Sequence, residues 1–193
     1  MKDHDHNGHY DSLEIAITVD DLPRHGDTVG SYDRCTIAKE FLKSFQKHNI
    51  SSVIGFVNGV HFEKFPQDEL VFKLWIEAGN FLGNHTYSHL DFSKVEIPEY
   101  ISDIEKNESI IYRHQDTSDV FRYPYLAPGE TEHKQHTIKQ YLKEKNYKIA
   151  LLRSIFMIFF GIHPFVKVLS IKILTRSRRL KNYTLNLQLK KLT

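Results

Sequence analysis

Between residues 14 and 152 the sequence alternates short apolar, β-branched runs with segments of helical period, and this alternation restricts the fold more than any other feature. The run Glu14–Val19, EIAITV, ends in Asp-Asp-Leu-Pro and predicts a strand feeding a loop. From Thr36 to Phe45 the apolar positions Ile37, Phe41, Leu42 and Phe45 recur at i, i+4, i+5 and i+8, one face of a helix. Further strands are predicted over Ser52–Gly59, Asn80–Asn84, Asp119–Tyr125 and Tyr147–Leu152. Further helices are predicted over Asp68–Gly79, where a glycine supplies the stop, from Pro98 through Ile111, and over Thr131–Glu144. Trp75, the single tryptophan, falls on a helix face and reads as core. Strand, helix, strand at this spacing requires a parallel sheet with right-handed crossovers. In such sheets the residues that act on a ligand gather at the carboxyl ends of the strands. Asp20, Asp21, Asn58, His85 and Arg122 all fall at or near such ends.

A chain of 193 residues suits one domain, since a chain near this length buries roughly 70% of its unfolded surface. The lone Cys35 excludes an internal disulfide and a multi-cysteine metal site. Residues 1–12 are polar and lack the apolar stretch of a secretory leader, so the chain as written reads as cytoplasmic. Their His4, His6 and His9, with Asp3 and Asp5, are metal-ligand types, or simply a polar tail. The formal charge of +2 conceals a division: residues 1–144 hold 15 Lys+Arg against all 24 Asp+Glu, whereas 145–193 hold 11 Lys+Arg and no acid.

The segment 151–193 breaks the alternation. Its uncharged stretch Ser154–Val166 is shorter than the roughly 20 residues of a membrane span. With Arg176, Arg178, Arg179 and Lys181 behind it, the stretch could lie at an anionic lipid surface. The basic cluster has no aromatic platform or motif beside it, which argues against nucleic acid. The abrupt shift in composition, in the middle of a predicted strand, favours a divergent end in place of the second half of a domain.

Three strand-end stretches carry the chemistry. In GNHTYSH, His85 and His89 stand four apart, a spacing that on a helical turn would let both imidazoles grip one cation and that otherwise marks a polar face. In DDLP, Asp20 and Asp21 form either an ordinary acidic turn or a pair that divides the labour of ligand and base. Two imidazoles and one carboxylate leave a coordination position open, as catalytic zinc sites do. In FRYPY, Arg122 is either a surface arginine or a two-pronged partner that holds a carboxylate in place.

In this order and at about these separations, ITVDDLP, GNHTYSH and FRYPY resemble the first three motifs of the polysaccharide deacetylase family, carbohydrate esterase family four. The resemblance covers about residues 13–150. It implies an α/β fold, an incomplete distorted (β/α) barrel of the glycoside hydrolase/deacetylase type with parallel strands and crossover helices. It also implies a divalent metal, usually zinc, and removal of N-acetyl or O-acetyl groups from a carbohydrate such as chitin oligomers or peptidoglycan. Carried over by residue, Asp20 would be the general base and Asp21, His85 and His89 the metal ligands. Arg122 would orient Asp20, and Tyr125 would lend its backbone N–H to an oxyanion hole. The family's fourth motif, an aspartate and tryptophan, and its fifth, a Leu-x-His that provides the general acid, have no counterpart after Ala150. The expectation is therefore a deacetylase domain truncated after its third motif, with a remnant that binds metal or glycan without turnover as the alternative.

Overall fold

The computed structural model describes residues 16–23, 33–115, 119–151, 169–173 and 181–185. The N-terminal histidine cluster, the apolar stretch Ser154–Val166 and Arg176, Arg178 and Arg179 lie outside the described residues. Ile17–Leu151 forms one compact unit. Its strands are β1 (Thr18–Leu22), β2 (Ile54–Val57), β3 (Phe81–Asn84), β4 (Val120–Phe121) and β5 (Lys148–Ile149). Its helices are α1 (Arg34–Lys47), the short α2 (His61–Lys64), α3 (Leu70–Glu77), α4 (Ile97–Ile111) and α5 (Glu132–Glu144).

Local chemistry sets the helix limits. Asp33 caps α1, its carboxylate accepting from the Thr36 N–H at 2.7 Å. Thr131 caps α5 through its hydroxyl, which accepts from the Lys134 N–H at 3.2 Å. Pro98 occupies the first turn of α4. After α3 the chain stops at Gly79, whose φ of 79° is open to glycine at no steric cost.

All five strands are parallel, in the order β1-β2-β3-β4-β5. This winding runs one way round, as in a (β/α) barrel, and lacks the reversal of strand order that defines a doubly wound sheet. The sheet is curled. Strands spaced about 4.8 Å apart would put β1 and β4 roughly 14 Å from each other in a flat sheet. Arg122, just after β4, nevertheless donates to Thr18 Oγ1 at 2.7 Å and to Asp20 Oδ1 at 2.5 Å, both on β1. The fold is an incomplete distorted (β/α) barrel. Among the described residues no strand pairs with the outer edge of β1 or of β5.

Two apolar clusters fill the unit. Leu22, Phe45, Val57, Val71, Phe72 and Trp75 belong to the first, with α1 and α3 packed on the early strands. Trp75 is fully buried and donates from Nε1 to the Phe81 carbonyl at 3.1 Å, as a core residue does. The second gathers Phe92, Tyr100, Ile104, Phe121, Tyr123, Ile138, Leu142 and Tyr147 under α4 and α5. Gly55 lies at a close approach in the first cluster, where a Cβ would sit 2.0 Å from Leu22 Cδ1.

Strand limits depart from the periodicity at the places that matter for the site. The first strand begins near Thr18 and runs through Leu22, so Asp20 and Asp21 lie within β1 and not in a loop after it. The cause is a bulge: Val19 pairs with Gly55 and Leu22 with Val57, leaving two residues opposite Phe56 alone. Asp21 takes a φ of 60° there. The fourth strand is shorter than Asp119–Tyr125, because Pro124 ends it and starts a 3₁₀ turn over Pro124–Leu126. The fifth is pared to two residues.

The hairpin of β6 (Leu169–Ile173) and β7 (Lys181–Leu185) belongs to a second unit, with antiparallel register from Leu169 opposite Leu185 to Ile173 opposite Lys181.

Candidate active site

The carboxyl ends of β1, β3 and β4 bring the strand-end residues of the first unit together. Asp21, His85 and His89 offer ligand atoms that all lie within 4.8 Å of one another. The Asp21 Oδ1 stands 3.3 Å from His89 Nε2 and 3.7 Å from His85 Nε2. The two imidazoles meet edge to face, centroids 4.9 Å apart.

The pair does not ride on a helical turn. His85 follows β3 directly, and residues 85–96 form an irregular connection to α4. Convergence of the rings comes from two left-handed residues, Thr86 at φ 61° and His89 at φ 57°. A β-branched residue in that region is held by its surroundings. Thr86 Oγ1 accepts from the Leu90 N–H at 3.2 Å, and Asn84 Oδ1 accepts from the Thr86 N–H at 2.9 Å.

The His85 tautomer follows from geometry. Its Nδ1 lies 2.8 Å from the Arg122 carbonyl, which can only accept, so Nδ1 carries the proton and Nε2 presents its lone pair toward Asp21. Burial lowers the pKa of this imidazole from its ordinary value, against the upward pull of the Asp20 carboxylate and the Arg122 hydrogen bond. Its neutral form is the one that ligates. An unprotonated imidazole nitrogen and a carboxylate oxygen facing each other at this range fit a shared cation. The donor set, two nitrogens and one oxygen, fits a divalent transition metal such as zinc.

Asp20 faces Arg122. The buried guanidinium donates to Asp20 Oδ1, to Thr18 Oγ1 and, through Nε, to the Ala150 carbonyl at 3.4 Å. It lies over the Phe56 ring, 4.2 Å from the centroid. Tyr125 stands beside the cluster with its ring 4.6 Å from that of His89, at φ 56°, and is 65% exposed.

Residues that the motifs did not signal hold this arrangement. Asn58 lies after β2 and donates from Nδ2 to the carbonyls of His85 at 2.7 Å and Thr86 at 2.8 Å. Asn107 of α4 donates to the Val57 carbonyl at 2.7 Å and Asn84 Oδ1 at 2.9 Å, and accepts from the Gly59 N–H at 2.9 Å. Its signal was in the sequence: an amide on the apolar face of a helix, in step with Tyr100, Ile104 and Ile111.

A family model for polysaccharide deacetylase matches residues 8–150. The chain belongs to the polysaccharide deacetylase family. A peptidoglycan-N-acetylglucosamine deacetylase of Bacillus cereus is 31% identical over 137 residues, 70% of this chain and 45% of that protein. A chitin deacetylase of Arthroderma benhamiae is 30% identical over 144 residues, 70% of this chain and 36% of that protein. The chain thus spans less than half the length of these two family members. The crystal structure of a peptidoglycan N-acetylglucosamine deacetylase bound to 4-naphthalen-1-yl-N-oxidanyl-benzamide superposes with a TM-score of 0.53 at 28% identity, over 70% of this chain and 55% of the other.

Proposed function

We propose that the chain carries the cation-binding and proton-accepting part of a carbohydrate deacetylase site, for hydrolysis of N-acetyl or O-acetyl groups on a glycan such as a chitin oligomer or peptidoglycan. The observation that supports this is the gathering of Asp21, His85 and His89 beside an Asp20 gripped by Arg122. Asp21, His85 and His89 would hold a divalent cation, zinc first by donor type. When bound, such a cation supplies Lewis acidity, polarising an acyl carbonyl and lowering the pKa of water. Asp20 accepts the proton of the attacking water, its carboxylate held by the single hydrogen bond that Arg122 Nη1 donates to Oδ1 in place of the two-pronged pair expected from the sequence. The backbone N–H of Tyr125, set by its strained turn, donates to the oxyanion. His85 keeps its proton on Nδ1, so its Nε2 stays available as a ligand.

Expulsion of a sugar amine needs a proton donor, and residues 151–193 include no Leu-x-His and no aspartate. That observation favours a second reading, in which the chain binds cation or glycan without turnover. Zinc content and acetate release from a chitin oligomer, measured on the wild type and on His85→Ala, separate the two. Zinc and acetate both lost in His85→Ala support the deacetylase; zinc bound without acetate release supports the second reading. A wild type that takes up no zinc and releases no acetate removes the deacetylase reading and leaves only glycan binding without turnover, which retention of the chain on chitin oligomer beads tests.

A further inference from the structure

The two histidines are fixed by different means. His85 is held at its ring, through the bond from Nδ1 to the Arg122 carbonyl, with its side chain buried. His89 has no such ring bond to a carbonyl among the described residues, and its side chain is 26% exposed. What holds His89 is the backbone on either side of it: the Leu90 N–H on Thr86 Oγ1 after it, and the bonds to Asp103 before it. The Ser88 N–H donates to Asp103 Oδ2 at 2.9 Å, and Ser88 Oγ donates to Asp103 Oδ1 at 2.9 Å. The Tyr87 N–H donates to the Asp103 carbonyl at 3.1 Å. Three bonds from consecutive residues therefore end on one residue of α4.

We infer that Asp103 is a positioning residue for the cation site: its two-oxygen grip on Ser88 holds His89 at the left-handed φ that brings Nε2 to Asp21. The inference rests on the cation reading given above. The frame behind Asp103 is rigid, because Tyr100, Ile104, Asn107 and Ile111 of the same helix are buried and Asn107 is bonded to β2 and β3. Left-handed φ is kept by residues other than glycine only where the surroundings impose it. Without the carboxylate, Ser88 is released and His89 relaxes away from Asp21.

Zn²⁺ affinity, the Co²⁺ absorption spectrum and the unfolding midpoint of the full chain test this in Asp103→Ala, Asp103→Asn and Ser88→Ala. Asp103→Ala is expected to bind Zn²⁺ about 10- to 100-fold more weakly, the effect typical of a lost supporting contact at a metal ligand. Its Co²⁺ spectrum should differ from that of the wild type, which a loss of stability alone does not produce. Asp103→Asn should stay within about threefold of the wild type, since Oδ1 can accept from the Ser88 N–H and Nδ2 can donate to Oγ. Ser88→Ala, which loses only the hydroxyl bond, should fall between.

Equal affinity and an unchanged spectrum in Asp103→Ala overturn the inference and leave the cation reading standing. If Asp103→Ala does not fold, Ser88→Ala decides: weakened Zn²⁺ binding supports the inference and unchanged binding overturns it. A wild type that takes up neither Zn²⁺ nor Co²⁺ overturns the cation reading and the inference with it.

Discussion

Arg122 joins β1, β2 and the end of β5 through one side chain, while its own carbonyl fixes His85. Lysine would keep the charge but lose the planar fork and the stacking on Phe56. Arg122→Lys is expected to cost about 2 kcal/mol in urea unfolding, less than a fully buried pair because Asp20 is about one-third exposed. Asp20→Asn should instead leave Zn²⁺ affinity within about threefold while reducing any acetate release by about 10² to 10⁴. Comparable losses of both in Asp20→Asn would place Asp20 among the ligands. At this scale the sequence was informative where chemistry and position agreed: Asp20, Asp21, His85 and Arg122 lie at or near strand ends, His89 stands in the connection after β3, and the five meet in space. It placed Asn58 at a strand end but without a role, and it was silent on Asp103, because an amide after a strand and a carboxylate on a helix are ordinary polar residues until their partners are known.

Among the elements, helices followed their periodicity closely, since caps and apolar stripes are local. α1 and α5 both begin at the capping side chains already described. Strand limits were less legible, because they depend on partners far along the chain. The bulge in β1 exists only against β2, and the left-handed path from His85 to His89 only against α4. The helical geometry first suggested for that pair was a local inference about a segment whose shape is set from outside. Asn107 shows the energetic side of such dependence. Asn107→Ala would leave the Gly59 N–H without its acceptor and take one of two donors from the Val57 carbonyl and from Asn84 Oδ1, which keep the His85 and Thr86 N–H groups, at an expected cost of about 2 kcal/mol. Denaturant titration measures it, and a change below about 1 kcal/mol would mean that the amides find other partners.

For the whole molecule, the winding and the parallel sheet were legible from alternation alone, whereas the curl was not, since no local pattern encodes an approach between β1 and β4. The second core carries a measurable consequence. Burial pushes the Tyr123 hydroxyl up to about 12 from 10.0, and raises Tyr100 and Tyr147 as well. The hydroxyls of Tyr100 and Tyr123 have no hydrogen-bond partner among the described residues. Folded pKa values above the unfolded one mean that the stabilisation is complete below the unfolded value and is lost as pH rises through the folded one. Stability should therefore be level up to about pH 9 and fall from pH 10 toward 12, with phenolate absorbance rising together with unfolding. Free titration of every tyrosine near pH 10 in a folded protein would contradict this.

The Arg122 chord across the concave side of the sheet also bears on how such chains are to be classified. A descendant that abandoned the reaction but kept its shape would still need a side chain spanning β4 to β1, so arginine there would persist on mechanical grounds. Its presence alone is thus a poor index of turnover. The joint occurrence of Asp21, His85 and His89 with a proton donor on a later strand discriminates better, because nothing in the curvature of the sheet requires it.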